Sequence, residues 1–259
     1  MKTHPRPRIA IPVPTSTDED YNSRSWPLYA DAVHRAGGEA VGVPLTASPV
    51  EVARLATSCQ GVLLPGSPAD LNPHKYAAEV EPLTAPPDPA RESVDELLLQ
   101  DAHNLHKPIL GICYGAQSLN VWRTGTLVQN LLPMPVNHKA GRSVAVAHSV
   151  AISPESLLAA ITESDPQMSL ENDLLRLPIN SSHHQAIGVP GDGLRISGRC
   201  PQDAVIEAVE GTNPAHFVLG LQWHPERTLE TSVASRAIFA HFIEKSREWQ
   251  PRAVSDSIA

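Results

Sequence analysis

Apolar and polar positions alternate in blocks along the first half of the chain. Short apolar runs predict buried strands at residues 8–12, 41–45, 61–64 and 108–112. Amphipathic stretches between them predict helices at 28–36, 49–57 and 91–106, the first ended by a glycine pair and the second begun by a proline. This alternation predicts an α/β fold whose central sheet is mainly parallel and flanked by helices.

The second half of the chain has a different pattern, closer to a period of two. Strands are predicted at 144–152, 194–197, 205–209 and 218–222, and this spacing favours a smaller antiparallel portion. A helix over 229–244 would close the fold. We therefore expect a single domain over residues 8–246, with the proline-rich run 82–89 as an internal loop, and a loose tail over 247–259.

Composition narrows the class of protein. Hydrophobic residues make up 41% and charged residues 19%, which are values of a globular domain. A formal net charge of -8 without a basic stripe argues against nucleic acid or a membrane surface as partner. No stretch reaches the roughly 18 apolar residues that span a bilayer, and the N-terminus lacks the apolar core of a signal peptide, so we expect a cytoplasmic protein.

The three cysteines, Cys59, Cys113 and Cys200, are too few and too widely spaced for a disulfide framework or a paired-cysteine metal site. Cys113 stands between Gly111 and Gly115, at the junction of a predicted strand and a helix. Glycines there allow a tight reversal that exposes the central side chain, and the helix N-terminus favours a thiolate. The pattern predicts a nucleophile elbow, although a buried cysteine at a glycine-rich turn is the alternative.

A nucleophile of this kind needs a base, and the sequence Trp-His-Pro-Glu at 223–226 offers one. His224 and Glu226 are two residues apart, and Pro225 favours extended backbone before it, so both side chains would share one face. Glu226 could then orient the imidazole while its other nitrogen faces Cys113. The alternative is a surface turn with no catalytic part.

Together, the Cys113 elbow, Gln117 and the 223–226 segment resemble the class I glutamine amidotransferases, and in particular the γ-glutamyl-γ-aminobutyrate hydrolase group of the peptidase C26 family. Segments 64–68, 72–76, 180–186 and 220–222 match that group, and the similarity spans residues 8–244 in the expected order. The resemblance implies a flavodoxin-like fold, a small-molecule γ-glutamyl substrate, no cofactor and no metal.

The resemblance also implies roles for individual residues. Cys113 would form a γ-glutamyl thioester, and backbone N–H groups of Gly66 or its neighbour Ser67, together with that of Tyr114, would hold the oxyanion. Gln117 and the backbone at Ser182, His183 and His184 would bind the amino and carboxylate groups of the glutamyl moiety.

Two positions depart from many relatives. Ser67 stands where they carry glycine, but it retains the backbone N–H that an oxyanion hole needs. Tyr114 stands where they carry arginine, which removes a cation and predicts a preference for leaving amines without a second carboxylate.

Several histidines and two further segments allow other roles. A metal site is one possibility, formed by His183 with His184 or by His138 with His148. It is disfavoured because adjacent histidines in a strand point to opposite faces, and because the sequence has no metal-binding spacing. Segments 21–26 and 73–89 are predicted to be loops that either wall the substrate site or are simply solvated.

Three functions are compatible with these patterns. The first is a stand-alone hydrolase that releases glutamate and an amine, as a monomer or a homodimer. The second is a glutaminase subunit that passes ammonia to a synthetase partner, and the third is a non-catalytic binding protein on the same fold. The residues of all three triad positions disfavour the third, and the hydrolase resemblance favours the first over the second.

Overall fold

The computed structural model describes residues 5–131 and 135–251. The strands are β1 Arg8–Pro12, β2 Glu39–Val43, β3 Gly61–Leu64, β4 Ile109–Ile112, β5 Leu127–Val128, β6 His148–Ile152, β7 Ser169–Glu171, β8 Leu174–Ile179, β9 Ala186–Ile187, β10 Leu194–Arg199, β11 Ile206–Gly211 and β12 Val218–Leu221. The helices are α1 Glu19–Arg35, α2 Pro49–Thr57, α3 Pro89–Leu105, α4 Tyr114–Trp122, α5 Leu157–Thr162 and α6 Val233–Glu248.

One continuous sheet runs through the molecule in the order β2-β1-β3-β4-β12-β11-β10-β6-β8-β7. From β2 to β12 the neighbours are parallel, and from β12 to β7 they are antiparallel. The expected α/β class, with a parallel part flanked by helices and an antiparallel part from the second half, is therefore confirmed. β12 joins the two parts because it lies parallel to β4 and antiparallel to β11.

Helices cover both faces of the sheet. One core combines α1 and α6 with one face, through residues such as Tyr29, Val33 and Phe242. The other combines α2, α3 and α4 with the opposite face, through residues such as Val52, Leu98 and Leu119. The central parallel strands β3, β4 and β12 are buried along their whole length, which explains why their sequences are apolar throughout rather than alternating.

Helix α1 begins much earlier than the predicted 28–36. Asp18 caps it by accepting from the Tyr21 N–H at 2.8 Å, and Glu19 and Asp20 complement the positive end of the helix dipole. Pro27 lies inside the helix, although a proline usually interrupts one. Residues 21–26 are therefore helical, and the prediction of a loop there was wrong. The segment still lies near Cys113, whose charge adds to the effect of burial in raising the pKa of Tyr21.

The C-terminal boundary also differs from the prediction. Helix α6 continues to Glu248, and the Trp249 indole N–H donates to the Leu105 carbonyl at 2.9 Å. Helix α6 and its contact with the end of α3 therefore continue past residue 246, into the segment predicted to be a tail. Residues 252–259 of that tail lie outside the described part.

In the second predicted loop, 73–89, Pro73–Tyr76 form a 3₁₀ turn and α3 starts at Pro89. None of the described helices is long and apolar enough to cross a membrane.

Candidate active site

The carboxyl ends of three neighbouring parallel strands carry the predicted site. Gly66 follows β3, Cys113 follows β4 and His224 follows β12, so the sheet order alone brings them together. This edge of an open α/β sheet is where such folds bind ligands. A cleft of about 180 Å³ opens here, lined by Ser67, Pro68, Ala69, Asp70, Cys113, Tyr114, Gln117, Lys139, Ser182, His183, His184 and Gln185.

Cys113 has the backbone of a strained elbow, with φ 53° and ψ -110°. Its N–H donates to the Leu221 carbonyl at 2.7 Å, which ties the turn to β12. A Cβ at Gly115 would lie 2.0 Å from the Leu64 carbonyl oxygen, and one at Gly111 would lie 2.7 Å from the Gly115 oxygen. Both glycines are therefore required by close backbone approach, as the flanking pattern predicts.

His224 and Glu226 meet as the sequence spacing predicts. The His224 Nδ1 lies 2.8 Å from Glu226 Oε1, and both side chains are almost fully buried. Asn180 holds the His224 backbone from both sides: its amide accepts from the His224 N–H at 2.8 Å and donates to the His224 carbonyl at 2.7 Å. The imidazole is thus fixed in position as well as in orientation.

The charges around His224 favour its protonated form. Burial acts to lower the pKa of His224, but attraction to Glu226 and then to Cys113 outweighs burial, and the pKa is raised. Burial acts to raise the pKa of Glu226, and the neighbouring His224 overcomes it, so that this pKa is lowered. The three groups stand in the order that a nucleophile, a base and an orienting carboxylate would require.

The backbone donors near Cys113 differ in availability. The Gly66 N–H donates to the Tyr29 hydroxyl at 3.0 Å, so the expectation that Gly66 itself holds an oxyanion is not met in this arrangement. The N–H groups of Ser67 and Tyr114 donate to no acceptor among the described residues. Gly66 is needed for another reason, because a Cβ there would lie 3.0 Å from His224 Cε1.

The Gln117 side chain forms most of its hydrogen bonds within the protein. Its amide nitrogen donates to the Gln185 carbonyl and to Gln222 Oε1, each at 3.1 Å. Gln222 in turn directs its amide nitrogen at Cys113 Sγ, 3.6 Å away. The Gln117 amide oxygen is the part of that group left to accept a hydrogen bond from a ligand.

The segment after β8 forms the opposite wall of the cleft. His184 Nε2 lies 2.9 Å from Asp70 Oδ1, which fixes this ring across the cleft. His183 turns the other way: its Nδ1 lies 2.9 Å from the Gln185 carbonyl, and its Nε2 faces Glu207. The two adjacent histidines therefore point to opposite sides, and Ser182 lines the cleft between them.

Tyr114 does not present its ring to a leaving group. Its side chain is 1% exposed and packs under the fully buried guanidinium of Arg91, 4.8 Å from the ring centre. Arg91 is bound in turn by Asp95 and by the Pro14 and Pro65 carbonyls. The ring therefore belongs to the interface between α3 and α4, and the preference among amines that the missing arginine implies stays a prediction.

Several residues of the site were not singled out from the sequence. Asn180 and Gln222 lie in segments that carry the family resemblance. That resemblance was the one feature of the sequence that could have indicated their place in the site. Tyr29 and Asp70 come from a helix and a loop with no distinguishing pattern, so that only the folded chain places them here.

A larger cleft of about 600 Å³ lies elsewhere, beside α6 and the β11–β12 turn, and contains none of the triad residues.

Comparison with known proteins gives a consistent result. The family model described as Peptidase C26 matches residues 13–226. The chain is 32% identical to the γ-glutamyl-γ-aminobutyrate hydrolase PuuD of Escherichia coli over 224 residues, which cover 83% of each chain. It is 27% identical to a protein of Rickettsia prowazekii described as glutamine amidotransferase-like, over 76% of this chain and 80% of that one.

A solved structure from Thermoplasma acidophilum has a similar fold. It is described as a candidate subunit of GMP synthase and aligns with a TM-score of 0.59, covering 94% of this chain and 96% of that one. At 14% identity, this likeness concerns the fold alone.

Proposed function

Because the chain belongs to the peptidase C26 family, we propose that it is a hydrolase that cleaves the γ-glutamyl amide bond of small γ-glutamyl amines. The observation that carries the proposal is the arrangement of Cys113 on a strained elbow with His224 and Glu226 behind it. The identity to the Escherichia coli enzyme named for γ-glutamyl-γ-aminobutyrate supports the γ-glutamyl class of substrate.

The reaction follows from the order of these groups. The Cys113 sulfur attacks the γ-carbonyl carbon, and the proton of the thiol resides on His224. His224 then gives this proton to the leaving amine as the C–N bond breaks, which leaves a γ-glutamyl thioester. Water adds to the thioester with His224 as base, and glutamate leaves while Cys113 recovers its proton.

The oxyanion formed in each step needs fixed donors. The N–H groups of Ser67 and Tyr114 flank Cys113 and are free of acceptors among the described residues, so we assign them this part. Tyr29 occupies the Gly66 N–H and leaves Ser67 as the donor of that loop. For the glutamyl moiety, the Gln117 amide oxygen suits the substrate ammonium, and the backbone at Ser182, His183 and His184 suits its carboxylate.

The leaving amine meets a wall that contains Lys139. This cation compensates for the absence of an arginine at position 114, so an amine that carries a carboxylate, such as γ-aminobutyrate, is compatible with the cleft. A single methylene in such a wall discriminates by only about 1–3 kcal/mol, so preference among amines should be graded.

The test is turnover by the purified chain alone. We expect release of glutamate from γ-glutamyl-γ-aminobutyrate and from an uncharged γ-glutamyl alkylamide with higher kcat/KM than from glutamine. Cys113→Ala should remain folded and lose about 10⁴-fold or more in rate. Cys59→Ala is the matched control, because Cys59 is equally buried but lies outside the elbow, and it should keep wild-type activity.

Three outcomes would contradict the proposal. Wild-type-like turnover by Cys113→Ala would remove the mechanism. Glutamine as the best substrate, or turnover only after a synthetase is added, would favour the glutaminase-subunit alternative. A chain that binds γ-glutamyl amides without cleaving them would indicate a binding protein.

A further inference from the structure

Behind the His183 wall of the cleft lies a group of side chains that the reaction does not use. It consists of His138, His148, His183 and Glu207, and is called the His–Glu cluster below. His138 lies in the loop before β6, His148 begins β6, His183 follows β8 and Glu207 lies in β11. The His138 ring centre is 4.7 Å from that of His148 and 5.0 Å from that of His183.

The cluster is buried and its facing atoms lack partners. The side chains of His138, His148, His183 and Glu207 are 4%, 2%, 2% and 0% exposed. Both carboxylate oxygens of Glu207 and the facing nitrogen of each histidine have no hydrogen-bond partner within the part of the chain that is described. Buried polar groups are normally paired, and a buried charge without a partner is costly, so the cluster calls for a ligand.

The remaining nitrogen of each histidine shows which tautomer is present. His148 Nδ1 lies 3.2 Å from the Ser149 carbonyl, and His183 Nδ1 lies 2.9 Å from the Gln185 carbonyl. A carbonyl can only accept, so these nitrogens carry the proton. His138 Nε2 lies 2.9 Å from Asp203 Oδ2, a carboxylate that likewise accepts. In its neutral form, each histidine therefore turns an unprotonated nitrogen toward Glu207, which is how metal-binding histidines are held.

The ligand atoms of His138, His148 and Glu207 all lie within 4.8 Å of one another, and His183 stands outside this group of three. Glu207 Oε1 lies 3.2 Å from His138 Nδ1, 3.4 Å from His148 Nε2 and 3.8 Å from His183 Nε2. Ligands bound tetrahedrally to zinc at about 2.0–2.1 Å are separated by about 3.3 Å. These pairs are close yet lack hydrogen-bond geometry, as expected when the nitrogens are directed at a shared point rather than at the oxygen.

We propose that His138, His148 and Glu207 form a binding site for one divalent cation of the zinc class, with His183 beside it. Two imidazole nitrogens and one carboxylate are a donor set that suits zinc. A proton in place of the cation would satisfy fewer of these atoms: on His138 Nδ1 it could pair with Glu207, but the nitrogen of His148 would still face the carboxylate as an acceptor.

A neighbouring set of possible ligands, His138, Cys200 and Asp203, is less suitable. Cys200 Sγ donates to Gln202 Oε1, and Asp203 accepts from His138 and from the Val205 N–H. These atoms already have partners, and Asp203 serves better as the outer group that orients His138.

Three protein ligands leave a fourth position open, and none of the three lines the cleft beside Cys113. The ion would join β6 and β11 to the loop that carries His138, whose carbonyl accepts from the His183 N–H at 2.9 Å and so contacts the loop that carries Ser182 and His184 into the cleft. It would therefore hold one wall of the candidate active site without contacting the reacting atoms. A cleft of about 520 Å³ that includes His138 and His183 in its wall gives access from outside.

The test is direct metal binding by the full chain. Protein stripped with a chelator and then freed of it is titrated with Zn²⁺ against a chromophoric competitor, and separately with Co²⁺ as a spectroscopic probe. We expect one equivalent of each metal to bind, the Co²⁺ form to absorb in the visible region with tetrahedral intensity, and Zn²⁺ to raise the Tm.

Substitutions within and next to the His–Glu cluster test whether the metal binds there. Asp203→Asn, which alters only the outer group, should weaken Zn²⁺ binding by about 10–100-fold. Glu207→Gln should weaken it more, because it removes a ligand charge. Glu210→Gln is the matched control: Glu210 is a buried carboxylate on the same strand, bound to Arg195 and to the α5 N-terminus, and it should leave Zn²⁺ affinity unchanged.

Two results would overturn the proposal. One is a wild-type chain that binds no Zn²⁺ and gives no tetrahedral Co²⁺ spectrum, which would mean that protonation closes the cluster. The other is equal Zn²⁺ affinity in Glu207→Gln and Glu210→Gln. Should Glu207→Gln fail to fold, the wild-type Co²⁺ spectrum and Asp203→Asn decide the question.

Discussion

At the scale of single residues, Cys113 combines an unfavourable backbone with a functional position. A non-glycine residue at φ 53° and ψ -110° is strained, which costs on the order of 1–3 kcal/mol. The Cys113 N–H bond to Leu221 and the close packing of Gly115 on Leu64 hold it there. The strained turn places the sulfur beside His224, so that the two groups of the proposed reaction are positioned before a substrate binds.

Replacing Glu226 tests the orienting role assigned to it. Glu226→Gln keeps the size of the side chain but removes the charge that holds His224 Nδ1 at 2.8 Å. We expect kcat to fall by up to about 10⁴-fold with KM little changed, because Glu226 does not line the cleft. Steady-state kinetics on a γ-glutamyl amide measure both constants. A rise in KM alone would instead place Glu226 in substrate binding.

The same substitution should change the response to pH. His224 has a raised pKa, so its contribution to stability is complete below the unfolded value of 6.5 and is lost as pH rises through the folded pKa. Glu226 has a lowered pKa, so its contribution is complete above 4.5 and is lost as pH falls through the folded pKa. The stability difference between wild type and Glu226→Gln should therefore be greatest between pH 4.5 and 6.5. Urea unfolding across pH measures it, and a flat difference would contradict the ion pair.

At the scale of elements, the site depends on how closely α4 approaches β3. The first turn of α4 lies against the end of β3, because Gly115 has no side chain to separate them. This contact fixes the distance between the Cys113 elbow and the loop that carries Ser67. It also directs the free N–H groups at the start of α4 toward the cleft.

Gly115→Ala should disrupt this contact. The added Cβ would lie 2.0 Å from a backbone oxygen that cannot move without shifting β3, so we expect a loss of about 3 kcal/mol or more in the free energy of unfolding. Gly42→Ala is the control, because its Cβ would meet only the Trp26 side chain at 3.3 Å, and it should change stability by no more than about 1 kcal/mol. Denaturant unfolding compares the two, and equal effects would show that the backbone contact is not limiting.

At the scale of the whole molecule, the two halves of the sheet supply different parts of the site. The parallel half presents Cys113 and His224 at the ends of adjacent strands. The antiparallel half supplies Asn180, which holds the His224 backbone, and the wall formed by Ser182 and His184. Because β12 is shared by both halves, neither half contains a complete site.

We propose that the folded domain ends at Trp249 rather than at residue 246. A truncation that ends at Trp249 should keep the wild-type Tm, whereas one that ends at Glu248 loses the indole hydrogen bond to Leu105 and the contact of Lys107 with the ring. The loss should lower the Tm by about 2–4 °C or more. Thermal unfolding of both truncations measures this, and equal Tm values would place the boundary earlier.

Features that depend on near neighbours in the chain can be predicted from the sequence alone. Gly111 and Gly115 around Cys113 define the elbow, and the two-residue spacing of His224 and Glu226 with Pro225 between them defines their shared face. Alternating apolar runs define the parallel half. Each is local because backbone sterics and side-chain periodicity act over a few residues.

The remaining features follow from contacts between distant parts of the chain. Tyr29 occupies the Gly66 N–H, Asn180 holds His224, and Arg91 packs against the Tyr114 ring. The His–Glu cluster joins four residues from separate elements, although the sequence pattern disfavoured a metal site. These pairings depend on which strands become neighbours in the sheet, and long-range packing fixes that order while local propensity does not.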